Sequence, residues 1–329
     1  MSASNKAEAV TALDLKPASI LTYQELADLA NLAFTGYIGT QFNHTSESVE
    51  PWLKAHYVDL EQSYIFFACD EPEAGPIGFA LIALRTEENA GKGAKAGHAR
   101  LSGMAVIPAF QGRRVGGLAL KMVIDEVKAK GIEVLELECI CNNTRGVKLY
   151  QSAGFEIAQE LLGWTRDDQN TVTTRLKEES HQTPADEKKG NREEEERSGL
   201  SKRLQECAVE KVEDLVNEYG AEDLPWQPWG FHQSLTPQEA FHINGQAYCV
   251  IAAPSEGEEA YRISCVFVKP EFRGRGAAKG LAKAIFAKFP ERKFTAKVIF
   301  PKKYGEKLAE ELGFKEQIMR QYQMRLRVQ

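Results

Sequence analysis

The sequence predicts a mixed α/β protein made of two related halves, and three observations carry that expectation. β-prone runs alternate with amphipathic helical runs along most of the 329 residues. One signature occurs twice, about 160 residues apart. Its first copy is Val106-Ile107-Pro108-Ala109-Phe110-Gln111-Gly112-Arg113-Arg114-Val115-Gly116-Gly117; its second is Val268-Lys269-Pro270-Glu271-Phe272-Arg273-Gly274-Arg275-Gly276-Ala277-Ala278. Finally, the stretch between Lys177 and Gly199 contains no large apolar residue, so it cannot bury enough surface to order itself. Repeats at such a separation imply a duplicated domain with diverged halves. The expected organisation is an N-terminal domain over 1–177, an acidic flexible linker over 178–198 and a C-terminal domain over 199–329.

In the first half, Tyr23 to Phe34 has helical spacing (Leu26, Leu29, Leu32, Ala33) behind the cap residue Thr22. Val49 to Leu60 reads as a second helix, and Ser63 to Cys69 and Ile77 to Leu84 as strands. The stretch Thr86 to Gly97, rich in Gly, Ala, Lys and Glu, joins strands, the next running from Ala99 to Ile107. Val115 to Lys130 is a helix with Leu118, Met122, Val123 and Val127 on one face and Gly131 as its stop. A strand over Glu133 to Ile140, a short helix over Thr144 to Ser152 and a strand over Phe155 to Ala158 complete it. The second half opens with a helix over Leu200 to Tyr219 and Pro225-Trp226-Gln227-Pro228-Trp229, which has no upstream counterpart. It then repeats the later pattern: strand Arg262 to Val268, helix Ala277 to Phe289, strand Lys293 to Phe300, helix Lys303 to Leu312 and Gly313-Phe314.

Hydrophobic content of 43% and charged content of 27% are ordinary for a globular protein. No apolar run approaches the roughly 20 residues a membrane helix needs, and Met1 to Val10 lacks an apolar signal core. The six cysteines are scattered; Cys139-Ile140-Cys141 is not a metal spacing and no metal is expected. They read as reduced core thiols of a cytosolic or nuclear protein. The net charge of −6 conceals an asymmetry: Arg262 to Arg327 holds 17 Lys and Arg against 6 Asp and Glu. Cations beside a polyanionic cofactor and on solvated helix faces account for this better than a nucleic-acid surface does.

In each copy of the signature a β-prone run ends at Pro, a Gly-rich turn follows and a helix starts at once. Such a turn bares backbone N–H groups at a positive helix end, which suits a pyrophosphate. This layout, with strand, helix and Gly-Phe downstream, resembles the GNAT superfamily of acyl-CoA-dependent N-acyltransferases, whose pyrophosphate motif is Arg/Gln-x-x-Gly-x-Gly/Ala. The second copy matches at Arg273, Gly276 and Ala278; the first matches at Gln111 and Gly116 but has Arg114 where Gly is usual. Glu138, Asn143, Tyr150 and Gly154-Phe155 follow in the family's order. The resemblance covers Leu21 to Thr174 and, in the second half, mainly Tyr261 to Val328. The pairing is similar to that of tandem GNAT proteins.

The resemblance implies two GNAT domains and an acetyl-CoA co-substrate in a cleft between two splayed parallel strands. Met104, Ala105 and Val106 would offer backbone N–H groups to the pantetheine and thioester. Gln111, Gly112, Arg113, Arg114, Val115, Gly116 and Gly117 would hold the pyrophosphate, with Val268, Arg273, Gly274, Arg275, Gly276, Ala277 and Ala278 as their counterparts. Tyr150 is the expected acid for the leaving thiolate, its pKa near 10 suiting a sulfur of similar basicity. Asn143 is expected at the pantetheine arm or a water, a role compatible with capping the helix at Thr144. Glu138 is a candidate base acting through water; Glu136 shares its strand face, so the choice between them is open, as is a salt-bridged structural role. His98 reads as a surface residue before the central strand. Phe34, Tyr37, Phe42 and Trp52 are candidates for lining the acceptor site, or for lid packing.

In the second half, the tyrosine position is Ala309 and the asparagine position is Lys302. Ala309 has no proton to donate, and Tyr304 lies on another helix face. The second domain is therefore expected to be degenerate, structural or cofactor-binding, with Trp226 and Trp229 either closing over an acceptor cleft or capping its core. The expected activity is acetyl transfer to a primary amine of a small molecule by direct attack on the thioester, in a monomer or homodimer without nucleic-acid or membrane partners. The alternatives are a CoA-binding sensor or scaffold without turnover, and a protein lysine or N-terminal acetyltransferase.

Overall fold

The computed structural model describes residues 8–38, 42–84, 97–167, 198–219 and 236–328. The chain forms two compact units, Met1–Glu160 with Gln321–Gln329, and Leu161–Arg320. In unit one the sheet runs β1 (Leu13–Pro17), β2 (Val58–Ala68), β3 (Pro76–Leu84) and β4 (His98–Val106), all antiparallel neighbours, then β5 (Val134–Ile140) parallel to β4. Helices α1 (Tyr23–Ala33) and α2 (Ser46–Ala55) cover one face; α3 (Val115–Ala129) and α4 (Thr144–Ser152) belong to the other. The Thr22 cap is as expected: its hydroxyl accepts from Glu25 N–H at 3.2 Å, and Glu25 returns a carboxylate to Thr22 N–H at 2.8 Å. Leu26, Leu29, Ala30 and Ala33 then bury one stripe against Ile65, Phe79 and Leu81.

Unit two repeats the plan. Its sheet runs β7 (Leu204–Cys207), β8 (Gln238–Ile243), β9 (Ala247–Ala252) and β10 (Ala260–Val268), then β11 (Lys293–Pro301) parallel to β10. Its helices are α5 (Val209–Tyr219), α6 (Ala277–Lys288) and α7 (Lys302–Glu311). Two expected helices are shorter than their periodicity suggests. Val49 to Leu60 breaks at Tyr57, which takes a left-handed φ of 57°, so Val58 and Leu60 enter β2. Leu200 to Tyr219 yields Leu204–Cys207 to a strand, because β8 offers that segment a complete ladder. No signal in the sequence had identified β1, β8 or β9.

The largest departure from the expected boundaries at 177 and 199 concerns two strands. β6 (Glu156–Arg166), expected only over Phe155 to Ala158, continues into unit two, where Leu161 to Arg166 pair antiparallel with β11. β12 (Lys315–Arg327) returns to unit one, where Gln321 to Arg327 pair antiparallel with Ile140 to Val134. Alternation explains why β12 fits: Met324 is fully buried in the core, while Gln323 and Arg325 meet Glu136 on the other face. Each sheet thus takes its last strand from the other half of the sequence. The segment expected to be a linker lies almost wholly outside the described residues. No helix among the described residues is long and apolar enough to cross a membrane. No disulfide joins the cysteines, and Cys69, expected in a core, is exposed.

Candidate active site

In unit one, β4 and β5 pair only from His98↔Val134 to Arg100↔Glu136 and then part. A bulge at Ser102 shifts the β3–β4 register between Leu101 and Gly103 at this point. Ile107 N–H donates to Ile77 O on the β3 side, so by alternation the N–H groups of Val106 and Met104 face the gap. The same alternation turns Ala105 N–H toward β3, which corrects its assignment among the free donors. Gln111 Nε2 donates to Val106 O at 2.9 Å, tying the end of the strand to the turn beyond it.

That turn has positive φ at Gly112 (78°) and at Arg114 (69°) before α3 begins at Val115. Alternating left-handed residues converge successive N–H groups on one point, the geometry of an anion nest. A Cβ on Gly112 would meet nothing within 4 Å, so the concavity stands open. Arg114 takes the left-handed conformation despite its side chain, and its guanidinium is exposed at the turn. The Arg113 side chain turns away: it donates to Glu8 O at 2.7 Å and pairs with Glu71. Only its backbone faces the nest. A diphosphate fits this chemistry: open backbone donors, a helix N-terminus and one exposed cation.

Tyr150, on α4, is half-buried at the edge of the first core, packed edge-on against Phe155 at 5.7 Å. Burial, then Cys139 and Tyr37, push its hydroxyl well above the ordinary tyrosine pKa, so it stays protonated. Asn143 caps α4, accepting from Gly146 N–H at 3.0 Å, and its side chain acts on the Tyr37 hydroxyl, whose pKa burial, then Cys139, raises and the Asn143 amide partly lowers. A Cβ on Gly146 would come within 2.7 Å of that amide, which is why glycine stands there. Tyr37, Asn143, Tyr150 and the Cys139 thiol thus form one cluster. Burial raises the Cys139 thiol to about 11. Its part in the cluster was missed in the sequence, where it read only as one of the reduced core thiols.

The geometry separates the two carboxylates that alternation left equivalent. Glu136 is held by Arg325, Nε to Oε1 at 2.7 Å, with Gln323 behind it. Glu138 accepts from Arg100 Nε at 2.7 Å on Oε2, with side chains only 6% and 3% exposed. Its second oxygen, Oε1, is buried without a partner among the described residues. An orphaned carboxylate oxygen of this kind calls for a proton donor. Phe42 stacks on Phe34 with centroids 4.1 Å apart, and Tyr37 and Phe79 meet Phe34 edge-on. Trp52 lies further along, stacked on His56 at 4.5 Å. His98 begins β4 at the closed end of the strand pair, about six residues or 20 Å from Met104, remote from the gap.

Unit two builds the same opening with different side chains. β10 and β11 pair from Ala260↔Lys293 to Ile263↔Ala296 and then part, beside a bulge at Ser264. Arg273 Nε donates to Val268 O at 3.0 Å as Gln111 does to Val106. Gly274 and Gly276 take φ of 72° and 79°, matching Gly112 and Arg114. A cavity of about 490 Å³ occupies the opening, lined by Trp164, Ser264, Phe286, Phe300, Tyr304 and Ala309 among others. Ala309 stands where Tyr150 stands in unit one. Trp164 lies so close over Gly305, the counterpart of Gly146, that a Cβ there would approach its ring to 2.4 Å. Tyr304 is 54% exposed on the rim. Trp226 and Trp229 lie outside the described residues.

Residues 24–155 match the family model described as Acetyltransferase (GNAT) family. The chain is 26% identical over 148 residues, 44% of its length, to an uncharacterized N-acetyltransferase of Methanocaldococcus jannaschii, of which this is 63%. Over 60 residues, 18% of the chain, it is 40% identical to the ribosomal protein bS18 alanine N-acetyltransferase of Salmonella typhimurium, of which this is 40%. The chain thus spans less than two thirds of either relative. Among solved structures, a GCN5-related N-acetyltransferase from Sphaerobacter thermophilus superposes with TM-score 0.54 at 13% identity, over 96% of each chain. One from Anabaena variabilis gives 0.59 at 14% identity, over 97% of this chain and 73% of the other. A tandem GNAT protein from the clavulanic acid biosynthesis pathway gives 0.55 at 12% identity, over 97% and 99%.

Proposed function

We propose that the first of the two GNAT-fold domains this chain carries in tandem transfers an acetyl group from acetyl-CoA to a primary amine of a small molecule. The observation that carries the reading is the arrangement around the β4–β5 gap. Glu138, a carboxylate with an orphaned oxygen, stands on β5 two residues beyond its last pairing with β4, and Tyr150, a protonated hydroxyl, stands on α4, the helix that follows β5. When bound, acetyl-CoA supplies a thioester whose carbonyl carbon accepts the amine. Residues 111–117 hold its diphosphate through backbone N–H groups, with Arg114 adding a cation. Met104 and Val106 N–H groups hold the acyl arm in the gap and polarise its carbonyl oxygen. Glu138, kept in place by Arg100, takes the ammonium proton at Oε1 through a water. Tyr150 gives its proton to the departing sulfur, and Asn143 and Tyr37 fix α4 and the acceptor side.

What supports a small acceptor is the packing of Tyr37 and Phe42 on Phe34, which fills the expected acceptor side with aromatic rings. The similarity over 60 residues to an enzyme named for a ribosomal-protein alanine makes a peptide α-amine the second acceptor class to test. The experiment is a thiol-release assay with acetyl-CoA against small amines and N-terminal alanine peptides, on wild type and Glu138→Gln. Turnover with small amines that falls roughly 10²-fold in Glu138→Gln, at unchanged acetyl-CoA affinity, is the expected outcome. Binding without turnover for every acceptor would make the protein a CoA sensor instead. The second domain is proposed to be catalytically silent, since Ala309 supplies no proton.

A further inference from the structure

Corresponding rows across the two sheets differ in charge. In unit one the row is Val58, Ala83, Arg100, Glu136 and Arg325, with Glu138 in the next row. Two arginines face two carboxylates, and the patch is neutral. In unit two the row is Gln238, Ala252, Arg262, Thr295 and Thr165, and Lys297 takes the position of Glu138. Two cations face no carboxylate in either row.

The cost of that imbalance is visible in the side chains. Arg262 reaches Thr236 through Nη2, but its Nε is buried without a partner among the described residues. Gln238 donates to Ser264 Oγ at 2.8 Å, while its Oε1 is buried and likewise unpartnered among the described residues. Lys297 lies on the same face; its surface is exposed overall, but desolvation of its ammonium by the surrounding protein, then Arg262, holds it below the ordinary lysine pKa. Among the described residues, Glu258 is the carboxylate that acts on Lys297 with the opposite sign, and it is engaged with Ser255 N–H at 3.2 Å. Glu259 is paired with Lys293. A buried guanidinium edge beside a second cation is compensated only by an anion, and its planar fork suits a carboxylate. Gln238 sits two strands, about 10 Å, across the face and presents an acceptor, so it suits a hydroxyl.

We propose that the second domain carries a binding site for a small hydroxycarboxylate, held by Arg262 and Lys297 with Gln238 and Ser264 beside them. The site lies on the sheet next to the bulge that opens the 490 Å³ cavity, whose wall includes Ser264. The second domain is then a ligand-binding partner with inverted charge preference: unit one presents a carboxylate oxygen to an amine, unit two presents cations to an acid. The proposal goes beyond the proposed acetyl transfer and does not depend on turnover.

The test is calorimetric titration of the full-length protein with malate, against malamide, which keeps skeleton and hydroxyl but lacks charge. Malate is expected to bind, with malamide at least about tenfold weaker for the lost charge-assisted bonds. Lys297→Glu should rebuild the Arg100–Glu138 pair of unit one in unit two and occupy Arg262 from within. Malate affinity should fall about tenfold or more, while Lys297→Arg retains it. Because Lys297 is exposed, both variants are expected to fold, which circular dichroism checks. Equal binding of malate and malamide, wild-type affinity in Lys297→Glu, or no heat up to about 10 mM malate would overturn the proposal. Failure of acetyl transfer would leave it standing, since the readout is binding alone.

Discussion

The two clefts share a backbone and differ in what stands on it. Both have a bulge at the same place (Ser102, Ser264), a left-handed residue before the helix (Arg114, Gly276) and a glycine in the first turn of the short helix (Gly146, Gly305). The side chains packed around those places diverge. Gly146 makes room for the Asn143 amide, Gly305 for the Trp164 indole. Tyr150 becomes Ala309, and the Arg100–Glu138 pair becomes Arg262 beside Lys297. Scaffold and chemistry are therefore separable: backbone hydrogen bonding keeps the opening, and a handful of side chains decide what enters it.

The largest test of this comparison removes β12 from unit one. Ending the chain at Arg320 deletes the buried Met324 and leaves Glu136 without Arg325. An uncompensated buried charge costs about 3–5 kcal/mol and a lost core side chain about 2–5, comparable with the whole stability of a domain. Cooperative unfolding of the first domain and all acetyl transfer should be lost; a folded, active truncation would refute the pairing of β12 with β5.

Phosphate-loop variants separate the clefts next. Gly116→Glu adds a carboxylate at the diphosphate nest, and acetyl-CoA turnover should vanish in a protein that still melts normally. Gly276→Glu should leave most turnover if, as proposed, the second cleft with Ala309 in place of Tyr150 is catalytically silent. The reverse pattern in initial-rate assays would move the chemistry to unit two.

Tyr150→Phe keeps the ring and removes the hydroxyl. Turnover is expected to fall roughly 10²-fold with acetyl-CoA affinity unchanged. A wild-type rate in single-turnover experiments would eliminate Tyr150 as the acid.

Alkaline stability offers a subtler contrast. Cys139 and Tyr150 have raised pKa values in the fold, so the unfolded chain loses protons first as pH rises. Their contribution is complete below about pH 9 and declines above it, as the unfolded thiol and then the unfolded phenol ionise. Thermal melts from pH 8 to about 11 should show a steeper fall for wild type than for Cys139→Ala, at whatever absolute stability the variant has. Parallel slopes would mean that Cys139 is not held protonated.

The smallest effect belongs to Arg114→Gly. It relieves a left-handed conformation costing about 1–2 kcal/mol but frees the unfolded chain, so stability should barely move. Acetyl-CoA should bind a few-fold more weakly through the lost cation, with the difference fading at high salt.

By itself the sequence determined the features that depend on local geometry. The duplicated signature located both turns, because a diphosphate nest needs left-handed residues and a helix start within a few positions. The Thr22 cap, α3 with its Gly131 stop, β3 and the β4–β5 pair were legible from period and punctuation. So was the placing of Ala309 at the position of Tyr150, since it needs only a spacing from Gly313-Phe314. Tertiary structure alone decided the rest. That β12 closes the first sheet while Leu161 to Arg166 close the second depends on which edge lacked a partner, and an edge has no sequence signature. Whether Glu136 or Glu138 keeps an unclaimed oxygen depends on where Arg325 and Arg100 end, 189 and 38 residues away from the carboxylates they pair with. The charge inversion at Arg262 and Lys297 is written in the sequence, but it becomes a patch only when parallel strands put both on one face.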